Sequence, residues 1–220
     1  MHPELRAFPS AERLAHAAAH YVADQARRAI TDRGTFVWAV SGGRTPGRMF
    51  EQLVALEVSW RDVVLYQVDE RVAPRGSPER NLTDLEARFA PLGVRIEPMG
   101  VDDDDLDGAA QRYAEQLPER FDLIHLGLGP DGHTASLVPG DPALEVHDRL
   151  VTMSQPYQGR RRMTLTYRAL ARGEQLLWLV SGSDKCDALA QLLGGDHSIP
   201  AARVQGAHSV IMADRAASPA

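Results

Sequence analysis

Residues 35–46, Thr-Phe-Val-Trp-Ala-Val-Ser-Gly-Gly-Arg-Thr-Pro, decide the fold. Thr35 to Ser41 is a β-branched and aromatic run too short for a helix, and it breaks on Gly42-Gly43. Pro46 then suits the opening turn of a helix, because a proline there gives up a backbone N–H that has no partner anyway; the pattern carries that helix through Leu56. The stretch is one β-turn-α unit. Upstream, apolar residues from Leu14 to Ile30 recur at helical spacing between Ser10, a candidate N-cap, and Gly34, a helix stop.

Downstream the alternation repeats. Strands are expected at Val63–Val68, Val94–Ile96 and Phe121–Leu128, with helices at Leu82–Phe89 and Ala109–Leu117 between them. A short strand Met163–Thr166, a strand Gln175–Ser181, a helix Asp184–Leu193 and a last strand Ser209–Ala213 follow, and the tail from Ala216 is expected to fray. Apolar runs of this length read as parallel strands covered on both faces. With no internal repeat and no linker, residues 1–220 form one α/β domain: three layers, α/β/α, around a mostly parallel, Rossmann-like sheet. In such sheets ligands bind beyond the carboxyl ends of strands. Three segments occupy that position: Ser41 to Thr45, Asp69 to Asn81, and Gly127 to His133.

Composition narrows the chemistry. Twenty-four Lys and Arg against thirty Asp and Glu give a net charge of −6, which supplies no broad basic surface for nucleic acid. An anionic ligand therefore needs a local cationic pocket. The single cysteine, Cys186, excludes an internal disulfide and suits a reducing compartment. The opening residues lack the basic start and apolar run of a signal peptide, and no apolar stretch reaches membrane-spanning length; a cytoplasmic protein is expected.

Four constellations carry chemistry. In Ser41-Gly42-Gly43-Arg44-Thr45 the glycines let backbone approach a ligand, and the following helix N-terminus favours an anion. The same residues serve equally well as an ordinary strand-to-helix turn. A rival reading makes Ser41 a nucleophile with Asp184 and His208 downstream, although Ala39 replaces the first glycine of the G-x-S-x-G elbow. In the second segment Asp69, Glu70 and Arg71 follow directly on a strand, and spacing alone points to a solvated loop with surface ion pairs. The third, Gly127 to His133, spells G-x-G-x-x-G, but Pro139-Gly140 interrupts any dinucleotide-binding helix. Its glycines read better as a tight turn presenting Asp131 and His133 to a cleft, where an imidazole can accept a proton near neutral pH and a carboxylate can hold its ring. The fourth comprises Arg160–Arg162, entering a strand, and Lys185 at a helix start, where a cation is disfavoured unless an anion joins it. His16 and His20 lack the glutamate of a zinc helix, and Asp102–Asp105 lacks the alternation of a calcium loop.

Taken in order, SGGRTP, VDER with Asn81, GLGPDGHTASLVPG, RRMTLT and VSGSDK resemble the motifs of 6-phosphogluconolactonases, from about Phe36 to Ala213. The related glucosamine-6-phosphate deaminases share the β/α arrangement but continue the histidine turn with a glutamate where this chain has Val138. The chain departs from the lactonase pattern at Val72-Ala73 and at Arg80. The resemblance implies a fold similar to glucosamine-6-phosphate deaminase and hydrolysis of a sugar-phosphate lactone without cofactor or metal. It assigns the phosphate to Ser41, Gly42, Gly43, Arg44 or Thr45, Arg162 and Lys185, and further substrate contacts to Asn81 and Gly129. His133 becomes the general base, with Arg71 or N–H groups of the glycine turn at the oxyanion, and with Asp69 and Asp131 orienting Arg71 and His133. The expected partner is a small sugar phosphate bound by a monomer, with neither nucleic acid nor membrane involved. An amino-sugar-phosphate deaminase or isomerase, or a non-catalytic sugar-phosphate-binding protein, are the alternatives.

Overall fold

Ten strands and six helices alternate along residues 4–218, the part of the chain that the computed structural model describes. β1 (Glu4–Phe8) leads into α1 (Ala11–Arg33), which the Ser10 hydroxyl caps at Arg13 N–H and Gly34 ends in the left-handed conformation. β2 (Phe36–Val40) runs into α2 (Arg44–Leu53). That helix starts two residues before Pro46, because Gly43 makes the turn; Pro46 occupies the third position, where no N–H is needed. Then come β3 (Val63–Gln67), β4 (Asp69–Arg71), α3 (Asn81–Phe89), β5 (Arg95–Glu97), α4 (Leu106–Gln116) and β6 (Leu123–Gly127). The remainder is β7 (Val151–Met153), β8 (Arg162–Leu165), α5 (Tyr167–Leu170), β9 (Gln175–Val180), α6 (Cys186–Gly194) and β10 (His208–Asp214).

The main sheet has seven strands, all parallel, in the order β1-β10-β9-β6-β2-β3-β5. From β2 the chain winds outward through β3 to β5, then returns to lay β6 on the other side of β2. This reversal opens a crevice beyond the carboxyl ends of β2 and β6, where doubly wound sheets bind ligands. Each face is covered, as near-continuous apolar strands require. Helices α1, α2 and α3 bury Trp38, Phe50 and Phe89 on one side, and α4, α6 and a second, antiparallel sheet bury Tyr113, Phe121 and Trp178 on the other. No helix among the described residues is long and apolar enough to cross a membrane.

Three sequence expectations need correction. β1 was not expected: its charged residues Glu4 and Arg6 hide the strand pattern, and it holds the sheet edge by pairing with β10 alone. The segment expected to be a solvated loop is β4, buried at Asp69 and Glu70, and with β8 and β7 it forms the three-stranded second sheet. The tail from Ala216 does not fray as far as it is described; Ala217 is fully buried, and its N–H and that of Ser218 bond back to Asp214.

Candidate active site

A cavity of about 260 Å³ lies in the crevice between the ends of β2 and β6. One wall is the turn from Ser41 to Thr45. Ser41 is fixed by its neighbouring strand, since His125 O accepts both its N–H (3.2 Å) and its hydroxyl (3.3 Å). Gly42 has no room for a side chain: a Cβ there would lie 2.0 Å from Asn81 Oδ1. Gly43 offers no side-chain cap to α2, so that helix turns uncapped N–H groups and its positive dipole end toward the cavity.

The opposite wall carries cations. Arg162 is the first residue of β8 and is buried, yet its Nε has no partner among the described residues; Arg71 Nε is in the same position. Burial pulls the Arg162 guanidinium below its ordinary pKa, and the Asp69 charge, with Oδ2 3.9 Å from Nη1, opposes that pull. An anion in the cavity would relieve the same conflict. Lys185 also lines the cavity, 3.1 Å from Asp184, at the residue that precedes α6 and with no side-chain cap to that helix. The loop before it is tied down by Asp214, whose carboxylate accepts the Ser181 hydroxyl (2.6 Å) and Gly182 N–H (3.1 Å).

His133 faces the same space from the turn after β6. Its Nδ1 stands 2.5 Å from Asp131 Oδ1, which also accepts the His133 backbone N–H at 3.2 Å. Burial pushes Asp131 upward, but the hydrogen bond and charge of His133, with the Tyr157 hydroxyl behind them, hold its carboxyl below the usual range. The turn itself is compact: Gly129 N–H bonds His133 O at 2.8 Å, and a Cβ on Gly129 would fall 2.0 Å from His133 Nδ1. With Nδ1 engaged, Nε2 is the nitrogen left for chemistry. Ala135, next along the cavity wall, holds φ at 50°.

Every residue expected at the site lines this cavity except Asp131, which reaches it through His133. One expected partnership does not form. Asp69 does not orient Arg71; its Oδ2 accepts the Ser136 hydroxyl at 2.5 Å and faces Arg162. Arg71 is held by Asn81 Oδ1 (2.8 Å) and Glu79 O (3.0 Å). Antiparallel pairing explains the exchange, because β4 sets Arg71 directly opposite Arg162 and Asp69 opposite Thr164. Asn81 is placed in turn by the fully buried Glu70, whose carboxylate accepts the N–H groups of Arg71, Asn81 and Leu82, each at 2.8 Å. The Ser41 nucleophile reading is excluded by register: His208 begins β10 opposite Gln175, at the amino edge of the parallel sheet, while Ser41 follows the carboxyl end of β2.

Sequence reasoning missed Ser136, Asp214 and Tyr157, and took Glu70 for part of a solvated loop. Ser136, Asp214 and Glu70 are buried polar residues whose partners come from distant segments, so no local spacing marks them. Away from the cavity, His16 and His20 are exposed on α1, and no cluster of three metal-binding side chains occurs among the described residues. Asp105 caps α4 by accepting Gly108 N–H.

Residues 9–212 match the family model described as glucosamine-6-phosphate isomerases/6-phosphogluconolactonase. A 6-phosphogluconolactonase of Mesorhizobium japonicum is 38% identical over 199 residues, which cover 81% of this chain and 80% of that one. Among solved structures, a 6-phosphogluconolactonase from Thermotoga maritima superposes with a TM-score of 0.88 at 23% identity, covering 97% of this chain and 100% of the other. A monomeric glucosamine-6-phosphate deaminase superposes with a TM-score of 0.84 at 20% identity, covering 97% and 98%. These two likenesses are of fold.

Proposed function

The chain belongs to the glucosamine-6-phosphate isomerase/6-phosphogluconolactonase family, and we infer that it hydrolyses 6-phospho-D-glucono-1,5-lactone to 6-phospho-D-gluconate, the second step of the oxidative pentose phosphate pathway. The observation that carries this reading is a single cavity bordered at one end by Arg162 and Lys185 and at another by a histidine whose Nδ1 is tied to a carboxylate. A substrate with a dianion at one end and an electrophilic carbonyl at the other matches both. Hydrolase relatives at this identity and coverage point the same way.

The sugar's phosphate is held by Arg162, Lys185 and the N–H groups of the Ser41–Thr45 turn, with Arg44 at its mouth. Charge-assisted contacts of this kind let a chain of net charge −6 select an anion. Asp131 accepts Nδ1–H and leaves Nε2 of His133 as the base. Nε2 takes a proton from water as the water oxygen attacks C1, and the carbonyl electrons move to the exocyclic oxygen. Arg71, steadied by Asn81, or N–H groups of the glycine turn face that oxyanion; a preorganised donor is worth about 3 kcal/mol. The tetrahedral centre then expels the ring oxygen, which recovers the proton from the imidazolium. Proton transfer of this type contributes roughly 10²- to 10⁴-fold.

The protein acts as a monomer in the cytoplasm, consistent with its one unpaired cysteine and with a monomeric relative in fold; sedimentation at working concentration checks the first. The decisive assay couples 6-phosphogluconate formation to its oxidation. The expected rate exceeds spontaneous opening of the lactone by orders of magnitude, and glucosamine 6-phosphate yields no ammonia. Ammonia release without lactone hydrolysis would replace this reading with a deaminase.

A further inference from the structure

On the reading that this cavity opens the lactone, we propose that Tyr157 is a positioning residue that joins the histidine base to the phosphate grip. It lies outside the motifs that carry the family resemblance, at the head of a four-residue turn closed by Tyr157 N–H to Arg160 O (2.9 Å) and Arg160 N–H to Tyr157 O (3.3 Å). The two central residues, Gln158 (φ 54°) and Gly159 (φ 80°), are both left-handed, the geometry of the tight hairpins whose twist suits flanking strands. Such a turn leaves little freedom to the residue that opens it.

From there the side chain reaches three residues, its hydroxyl also lying 3.5 Å from His133 Nδ1. Its hydroxyl donates to Asp131 Oδ2 at 3.2 Å, while Oδ1 of the same carboxylate takes His133 Nδ1. Its ring stands edge-on to the imidazole, with centroids 5.2 Å apart at 65°. The Arg162 guanidinium carbon lies 5.2 Å from the centre of the same ring. Without the hydroxyl, Oδ2 has no protein donor and the carboxylate can rotate away from Nδ1; without the ring, the imidazole loses a wall and Arg162 loses a cation–π surface. Burial and the Asp131 charge raise the phenol's pKa, so it stays protonated and remains a donor at neutral pH. One side chain thus sets the orientation of the base and the cation that receives the phosphate.

Tyr157→Phe and Tyr157→Leu separate the two roles. Phe keeps the ring, so kcat falls about three- to tenfold, as for loss of one modest hydrogen bond, and KM stays within twofold. Leu removes the ring as well, and both KM and the Kd of 6-phosphogluconate, measured by calorimetry, rise about three- to fivefold further. A readout independent of turnover is the ¹⁵N spectrum of histidine-labelled protein: in Tyr157→Phe the His133 Nδ1–H signal moves upfield and broadens as its carboxylate partner loosens. The proposal is overturned if Tyr157→Phe keeps the wild-type kcat and the wild-type His133 spectrum. It is overturned equally if Phe and Leu give the same loss, with lowered thermal stability and no separation of kcat from KM. Should the wild-type protein fail to turn over the lactone, the lactonase reading falls by itself, and the ¹⁵N comparison still decides whether Tyr157 holds the Asp131–His133 pair.

Discussion

His125 and His133 stand eight positions apart, one inside β6 and one on the turn that follows it, and the two environments give one side chain opposite chemistries. His125 is wholly buried, edge-on to Phe50 with ring centroids 6.3 Å apart, and its Nε2 has no partner among the described residues. Burial drives its pKa down to about 3, so it stays the neutral imidazole at working pH and takes part in no proton transfer. Its use is local: it lies beneath Ser41 and presents the carbonyl that anchors the turn. His133 has a side chain 20% exposed, a carboxylate on one nitrogen and an open cavity beside it. A histidine becomes a base when one nitrogen is held and the other meets water; His125 Nδ1 accepts the Ser41 N–H at 3.4 Å, but strand burial keeps its Nε2 from water.

The comparison breaks most directly by exchanging the two roles. His133→Ala is expected to lower kcat roughly 10²- to 10⁴-fold while the Kd of 6-phosphogluconate changes little. His125→Leu keeps the backbone carbonyl under Ser41 and retains most of kcat. Equal losses from the two substitutions in the coupled assay would mean that exposure and partnership do not distinguish them. Next in size is Gly129→Ala, whose Cβ would meet His133 Nδ1 at 2.0 Å and Asp131 Oδ1 at 2.6 Å. Displacing the pair by an ångström costs on the order of 10²-fold in kcat with the fold intact by circular dichroism; a normal kcat would show that the turn is not what aims the imidazole.

The parallel sheet was legible because β2, β3, β6 and β9 are apolar runs bounded by glycines and polar turns, and buried strands look like that. The glycine turn with Asp131 and His133 was legible for a different reason, that a local motif positions both groups. What stayed hidden depends on long-range pairing. β4 has three charged residues and no apolar one, and only its register with β8 reveals that Asp69 serves Arg162 and not Arg71. Glu70 looked like a surface carboxylate until the start of α3 folded over it, adding the N–H groups of Asn81 and Leu82 to that of Arg71 against its oxygens. Tyr157 sits in a run of polar residues whose turn chemistry, Gln-Gly, gives no sign of where its ring will point.

At the far end of the cavity the expected effect moves from kcat to KM. If, as proposed, Arg162 and Lys185 hold the phosphate, Arg162→Ala and Lys185→Ala each remove a charge-assisted contact, and KM should rise about tenfold or more with kcat reduced far less than in His133→Ala. Arg162→Ala also leaves the Asp69 carboxylate with Ser136 as its hydroxyl donor in a buried site, so its melting temperature should fall more than that of Lys185→Ala. If either variant loses kcat at saturating substrate as severely as His133→Ala does, the two ends of the cavity do not divide the work.

The smallest effect tests the silent histidine itself, through stability and not rate. In the unfolded chain an imidazole titrates near 6.5, whereas folded His125 does so at about 3. Between those values the unfolded state binds one more proton than the folded state, so stability rises with pH and is lost as pH falls through the window, by about 1.4 kcal/mol per unit from this group. Carboxylates add to acid sensitivity, but His125→Leu shares them and lacks the imidazole. At pH 5 the variant should therefore have gained about 2 kcal/mol on the wild-type protein relative to pH 7, or roughly 4–8 °C in Tm for a chain of this size. Parallel Tm profiles for the two proteins would mean that His125 takes up its proton when folded, and the contrast with His133 would then be one of position alone.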